Sequence, residues 1–136
     1  MRVGSLGAGL MGGKLGTIFA RAGHEVVGDA RAGTPSEAAK EADAVLLAVH
    51  WSRIDEVLKQ SGDLSGKVML TWCLPMDSGN TKLIAGTSTS GAEELAKKAP
   101  KARIVCAFNT VPSGCCPVSS RQEARNLGRA EVQTRS

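Results

Sequence analysis

A chain of 136 residues, 42% of them hydrophobic and 22% charged, has the composition of one globular domain with a sizeable core. The net charge of +4 comes from scattered residues and aromatic residues make up only 3%, which argues against a nucleic-acid partner. No apolar run reaches membrane-spanning length and no secretion signal is recognisable, so we expect no membrane partner and a cytoplasmic location.

The chain begins with a short apolar run and a glycine motif, Gly7-Ala8-Gly9-Leu10-Met11-Gly12, which leads into a helical pattern. In such a motif the first glycine permits a tight turn and the second lets a pyrophosphate approach the backbone. The third lets the helix pack closely on the strand. The start of the helix offers unpaired N–H groups and a positive dipole end to phosphates. We predict a pyrophosphate-binding turn; a plain strand-to-helix turn is the alternative.

An acidic and a basic residue follow the second predicted strand, Val26–Gly28. Asp29 lies about 20 residues beyond the glycine motif, where a carboxylate usually binds the ribose 2′-hydroxyl of NAD. Arg31 lies two residues further on, and an arginine there can accommodate the 2′-phosphate of NADP. The residues alone therefore leave the choice between NAD and NADP open.

Three further runs are predicted to be strands, at residues 44–49, 68–72 and 103–108. The first of them is continuously apolar, as in a strand covered by helices on both faces. Capping patterns at Thr34 and Ser90 predict helices between the strands, and Ser52 is expected to cap another. We predict an α/β fold with a doubly wound parallel sheet of about five strands in the order 3-2-1-4-5.

Two segments stand apart from this pattern. Residues 77–89 are rich in Ser, Thr, Gly and Asn and are predicted to form a surface loop. Residues 113–136 have almost no apolar periodicity and are expected to form a poorly packed tail after a domain at 1–112. The four cysteines match no zinc or redox spacing, so we expect reduced thiols and no metal site.

Several blocks together resemble the NADP-dependent coenzyme F420 reductase family over about residues 1–112. They are residues 7–12, 22–27, 44–51, 62–68, 90–95 and 107–111, in that order along the chain. The resemblance implies a Rossmann domain that binds NADP and transfers a hydride to or from coenzyme F420 or a similar small molecule. It also allows a homodimer. Because the protein mainly orients two rings, no catalytic acid or base is implied.

The resemblance also implies which residues bind the cofactor. The glycine motif, that is Gly7, Ala8, Gly9, Leu10, Met11 and Gly12, would hold the pyrophosphate. The groove would be lined by Val49, His50 and Trp51, and Leu74 and Pro75 would lie near the nicotinamide. His50 follows a strand at the ligand edge of the sheet, although a solvated, purely structural histidine is an equally good interpretation.

Three departures from the family pattern keep other functions open. The segment after the second strand is short, His50 and Leu74 replace a common Pro and Asn, and the last residues look unrelated to the family. A truncated relative would have these features. A non-catalytic dinucleotide-binding module is therefore the main alternative, and a flavodoxin-like domain without a dinucleotide is a further one.

Overall fold

The computed structural model describes residues 1–7, 9–28 and 34–109. The predicted elements are present, with some strands ending earlier than expected. In chain order they are β1 (Arg2–Leu6), α1 (Leu10–Arg21), β2 (Glu25–Gly28), α2 (Pro35–Lys40), β3 (Ala44–Leu47), a 3₁₀ turn (Trp51–Arg53), α3 (Ile54–Gln60), β4 (Val68–Thr71), α4 (Gly91–Lys98) and β5 (Arg103–Cys106). The predicted domain boundary and tail, at 112 and 113–136, lie outside the described residues.

The strands form one parallel sheet in the order β2-β1-β3-β4-β5. The predicted fold class, an α/β Rossmann-like fold with a doubly wound parallel sheet, is confirmed. The predicted strand order 3-2-1-4-5 is wrong, because β3 pairs with β1 rather than with β2. Its register runs from Val3 opposite Ala44 to Leu6 opposite Leu47.

Helix α2 explains how β3 reaches the far side of β1. The helix crosses β1 at Gly4, where a side chain would overlap the carbonyl oxygen of Ala38. The absence of a side chain at Gly4 and the small residue Ala42 let the helix lie directly on the strand. The connection between β2 and β3 is described at residues 34–43. This part contains α2 and no strand, so it adds no further strand beside β2.

Helices cover the two faces of the sheet unequally. Helix α1 lies on one face, where Leu15 packs with Val3 and Leu46. Helices α2, α3 and α4 contribute to the larger core on the other face, which includes Leu6, Val45, Leu47, Ile54, Met69 and Leu95, each no more than 1% exposed. Burying each large apolar side chain contributes roughly 1.5–3 kcal/mol. None of the helices in these described ranges is long and apolar enough to cross a membrane.

The order of the strands also fixes where a ligand can bind. Helix α1 leaves β1 toward one face, and the chain leaves β3 toward the other, so a crevice opens between the carboxyl ends of β1 and β3. Doubly wound sheets bind their ligands at such a switch point. Flavodoxin-like domains share the order 2-1-3-4-5 and follow the same rule.

Candidate functional site at the carboxyl edge of the sheet

The turn between β1 and α1 is held against the end of β3 by close backbone contacts. Gly7 has a φ of +99°, and a side chain there would overlap the carbonyl oxygen of Ala48. A Cβ at Gly12 would overlap the carbonyl oxygen of Gly7 and lie 2.9 Å from the Cβ of Ala48. Only glycine fits at these two positions, in agreement with the roles that the motif predicts for its first and third glycines.

Gly9 differs from the other two glycines of the motif. It is the N-cap of α1, and its carbonyl oxygen accepts the hydrogen bond of Gly13 N–H at 2.9 Å. Apart from Gly9 itself and its two chain neighbours, no atom of the described residues lies within 4 Å of the position that a Cβ on Gly9 would occupy. The first turn of α1 also carries no acidic residue that would repel an anion. The space beside Gly9 is therefore suited to a phosphate group at the helix N-terminus.

His50 marks the carboxyl end of β3. Its Nδ1 accepts a hydrogen bond from Ser52 N–H at 3.2 Å and lies 2.8 Å from Ser52 Oγ. The predicted cap at Ser52 is therefore wrong: His50 caps the 3₁₀ turn, and α3 begins only at Ile54. On its other side, His50 Nε2 lies 2.8 Å from Asn80 Oδ1. The histidine thus has polar contacts with two residues, Ser52 and Asn80, that its place in the sequence did not reveal.

The segment that follows β4, residues 73–84, is called the β4 loop below. At its start, Cys73 is buried, and its thiol donates a hydrogen bond to the carbonyl oxygen of Val49 at 3.1 Å. Burial raises the pKa of this thiol, so the thiolate is disfavoured. Cys73 therefore serves as a packing residue that joins the ends of β3 and β4.

The middle of the β4 loop folds around Asp77. One carboxylate oxygen accepts hydrogen bonds from the backbone N–H groups of Thr81, at 2.7 Å, and Lys82, at 3.2 Å. The other oxygen accepts from the Thr81 hydroxyl at 2.7 Å. The bond from that hydroxyl contributes most to holding the pKa of Asp77 below its usual value. Met76 and Leu83 form an antiparallel bridge across the base of this turn. The polar composition predicted a surface loop, and the loop has a defined internal structure.

A cavity of about 540 Å³ lies where these segments meet. This volume is within the range of small-molecule and cofactor sites. Its described lining is mostly apolar, with His50 and two asparagines as polar groups. The lining residues are Gly9, Met11, Ala48, Val49, His50, Trp51, Trp72, Cys73, Leu74, Met76, Asn80, Phe108 and Asn109.

Six of the predicted site residues line this cavity: Gly9, Met11, Val49, His50, Trp51 and Leu74. Gly7 and Gly12 lie beneath it as packing positions. Pro75 is buried and faces the start of α4, where a Cβ on Gly91 would be 3.1 Å from its Cδ. Ala8, Asp29 and Arg31 lie outside the described residues, as does the side chain of Leu10.

Sequence reasoning did not include several lining residues. Trp72 and Phe108 follow β4 and β5 at the ligand edge. Each was the last residue of a predicted strand, which was a usable signal. No such signal exists in the sequence for Asn80, because this residue lies in a polar loop far from any motif. Its backbone φ of +55° is uncommon for a residue other than glycine, although asparagine adopts it more readily than most.

Residues 28–73 match the model of the family described as NADP oxidoreductase, coenzyme F420-dependent. The resemblance inferred from the sequence is thereby confirmed. The match covers about a third of the chain, from the end of β2 to the start of the β4 loop. It includes Val49, His50 and Trp51, whereas the glycine motif precedes it.

Solved structures with the same fold include oxidoreductases. A crystal structure of a candidate F420-dependent NADP-reductase from Arthrobacter sp. FB24 superposes with a TM-score of 0.73 at 22% identity, covering 82% of this chain and 64% of that one. A hypothetical protein from Sinorhizobium meliloti gives 0.64 at 21% identity, with coverages of 87% and 65%. An imine reductase from Streptomyces aurantiacus gives 0.52 at 18% identity, with coverages of 75% and 39%. The chain thus spans less than two thirds of the length of these neighbours.

Proposed function

We propose that this chain, which matches an NADP oxidoreductase family over residues 28–73, is an NADP(H)-binding oxidoreductase domain. It would transfer a hydride between the nicotinamide and a small-molecule partner such as the deazaflavin coenzyme F420. The observation that carries the proposal is the open space beside Gly9, at the N-terminus of α1 and on the wall of the cavity.

The first turn of α1 is suited to the pyrophosphate of the cofactor. Gly7 and Gly12 are required by contacts within the protein, but the described residues leave space for a side chain at Gly9. A ligand that must approach the backbone closely explains a glycine there. The N–H groups and dipole of a helix of 12 residues add attraction for the negative charge.

The rest of the cavity is suited to holding the cofactor ring in position. When bound, the nicotinamide supplies the hydride chemistry itself. Trp51, Trp72 and Phe108 provide apolar surface that excludes water, and Val49 and Leu74 add to it. The role of these residues in the reaction would be orientation rather than proton transfer.

The preference for NADP over NAD rests on Arg31 and on the family name. We expect NADPH to bind more tightly than NADH, and Arg31→Ala to remove most of the difference. Loss of one charged contact with the 2′-phosphate corresponds to roughly a tenfold rise in the Kd of NADPH. Equal affinities for the two cofactors, unaffected by Arg31→Ala, would instead favour Asp29 as a partner of the ribose hydroxyl.

A second candidate function is a dinucleotide-binding module without catalysis. It requires only the turn beside Gly9 and the cavity that this turn helps to line, both of which the described residues contain. Such a module would bind NADPH with similar affinity but would not reduce an acceptor. The homodimer, the small-molecule hydride partner and the cytoplasmic location expected from the sequence stay predictions.

One titration series separates these functions. The purified chain is titrated with NADPH, NADH and FMN by fluorescence, and then mixed with NADPH and oxidised F420 while absorbance reports hydride transfer. Binding with turnover supports the oxidoreductase, and binding without turnover supports the module. Binding of FMN alone would contradict both and favour a flavodoxin-like domain, whose strand order the sheet shares.

A further inference from the structure

The β4 loop has little apolar surface to hold it against the protein. Leu83 and Ile84, near its end, are 63% and 57% exposed, and Leu74, near its start, is 46% exposed. Buried Pro75 fixes the base of the loop against α4. Something other than hydrophobic burial must therefore hold the tip, which lies around Asn80.

The tip is bonded to the end of β3 through His50. Because Ser52 N–H can only donate, the Nδ1 atom of His50 accepts that bond, and in the neutral ring Nε2 carries the proton. Nε2–H therefore donates to Asn80 Oδ1, at 2.8 Å. This bond joins residues 30 positions apart and closes the loop over the carboxyl edge of the sheet.

The bonded tip forms part of the cavity wall. Met76 and Asn80 from the β4 loop line the same cavity as Gly9 and Met11 from the glycine turn. Asp77 keeps the loop folded internally, so that a single bond at the tip can position the whole wall. If the tip moved away, the cavity would lose one side.

We propose that the hydrogen bond between His50 and Asn80 is a latch that positions the β4 loop as a wall of the cofactor cavity. His50 is then a positioning residue for NADP(H), rather than a group that takes part in the chemistry. The link to NADP(H) rests on the proposed function, whereas the latch itself does not.

Trypsin cleavage after Lys82 tests the latch without any cofactor. Lys82 is an exposed residue of the β4 loop, and cutting there requires the loop to open. Asn80→Gly removes the acceptor and tolerates the positive φ, so we expect the full-length variant to be cut about tenfold faster, as loss of one hydrogen bond implies. Mass spectrometry follows this cut relative to cleavage after Lys59 in α3.

Two variants serve as controls. Asn80→Asp keeps an acceptor oxygen at the same φ and should be cut within about twofold of the wild-type rate. Ser78→Ala changes an exposed residue of the same loop whose side chain has no hydrogen bond to the described residues, and it should also match the wild type. Equal cleavage of Asn80→Gly and the wild type would overturn the latch.

Titration of the same proteins with NADPH tests the link to the cofactor. We expect Asn80→Gly to raise the Kd about three- to tenfold and Ser78→Ala, which lies outside the cavity lining, to leave it unchanged. Faster cleavage with unchanged NADPH affinity would overturn the positioning role. If the wild type does not bind NADPH at all, the proposed function fails and so does the positioning role, while the cleavage rates still decide whether the latch exists.

Discussion

Two connections at the carboxyl edge of the sheet are fixed by different means. The β1–α1 turn is fixed by backbone contacts so close that Gly7 and Gly12 admit no side chain. The β4 loop is fixed by hydrogen bonds that the side chains of Asp77 and Asn80 accept. Close backbone packing tolerates no substitution, whereas each hydrogen bond contributes only about 1 kcal/mol and can be removed singly. The turn is therefore rigid, whereas the position of the loop depends on a few side-chain hydrogen bonds.

The largest effect is expected at Gly7. Gly7→Ala combines a strained φ with overlap of the Ala48 carbonyl oxygen, so it should lower the free energy of unfolding by more than about 3 kcal/mol. Gly23 is a matched control, because its φ is +90° but, beyond its chain neighbours, no atom of the described residues lies within 4 Å of its Cβ position. Gly23→Ala should cost only about 1–2 kcal/mol in urea denaturation. Equal losses in the two variants would show that backbone contact does not fix the turn.

Gly9→Val should separate cofactor binding from stability. The side chain fills the open space beside the N-terminus of α1, so we expect the Kd of NADPH to rise at least about 30-fold. The free energy of unfolding should fall by no more than about 1 kcal/mol, the usual cost of a poor N-cap residue. Fluorescence titration and urea denaturation of the same sample measure both quantities. Unchanged affinity in Gly9→Val would remove the basis of the proposed function.

The smallest effect is expected at the N-terminus of α4, the helix that follows the β4 loop. Ser90 caps α4 by accepting a hydrogen bond from Glu93 N–H at 3.2 Å, and Glu93 accepts one from Ser90 N–H at 2.6 Å. Ser90→Ala should lower the free energy of unfolding by about 1 kcal/mol and leave NADPH affinity unchanged. Ser88→Ala, in the same exposed segment, should have no measurable effect. If Ser90→Ala lowered the free energy of unfolding by more than about 3 kcal/mol, the start of α4 would not be stabilised by the cap as a small, independent contribution.

The sequence predicted the parts of the molecule that depend on local patterns. The glycine spacing located the β1–α1 turn, since close backbone contact requires glycine wherever it occurs. The apolar run at 44–49 identified a strand buried on both faces, and β3 lies inside the sheet. The capping box at Ser90 is present at the start of α4. In each case the signal lies within a few consecutive residues, even where the contact that requires it is distant, as that of Gly7 with Ala48.

Features that depend on distant contacts could not be predicted in the same way. The strand order was wrong because a short apolar strand carries no mark of its neighbours, and the crossing of α2 over Gly4 is a contact between separate elements. The bond between His50 and Asn80 was missed because only the fold brings residues 50 and 80 together. The cap at His50 is local, and it was missed because histidine is not one of the usual capping residues. Asp29 and Arg31, which are expected to decide between NAD and NADP, lie outside the described residues, so their roles stay predictions.

The position of β1 in the sheet has a consequence for how the chain folds. Strand β1 has neighbours on both sides, and both lie later in the chain: Arg2 pairs with Glu25, and Val3 with Ala44. During synthesis, β1 thus has no partner strand until β2 has been made. Its second ladder can form only after β3 has been made. Closing chain segments of this length before any ladder forms makes parallel sheets slow to fold. Strand β1 is consequently exposed to mispairing until β2 and β3 have both been made.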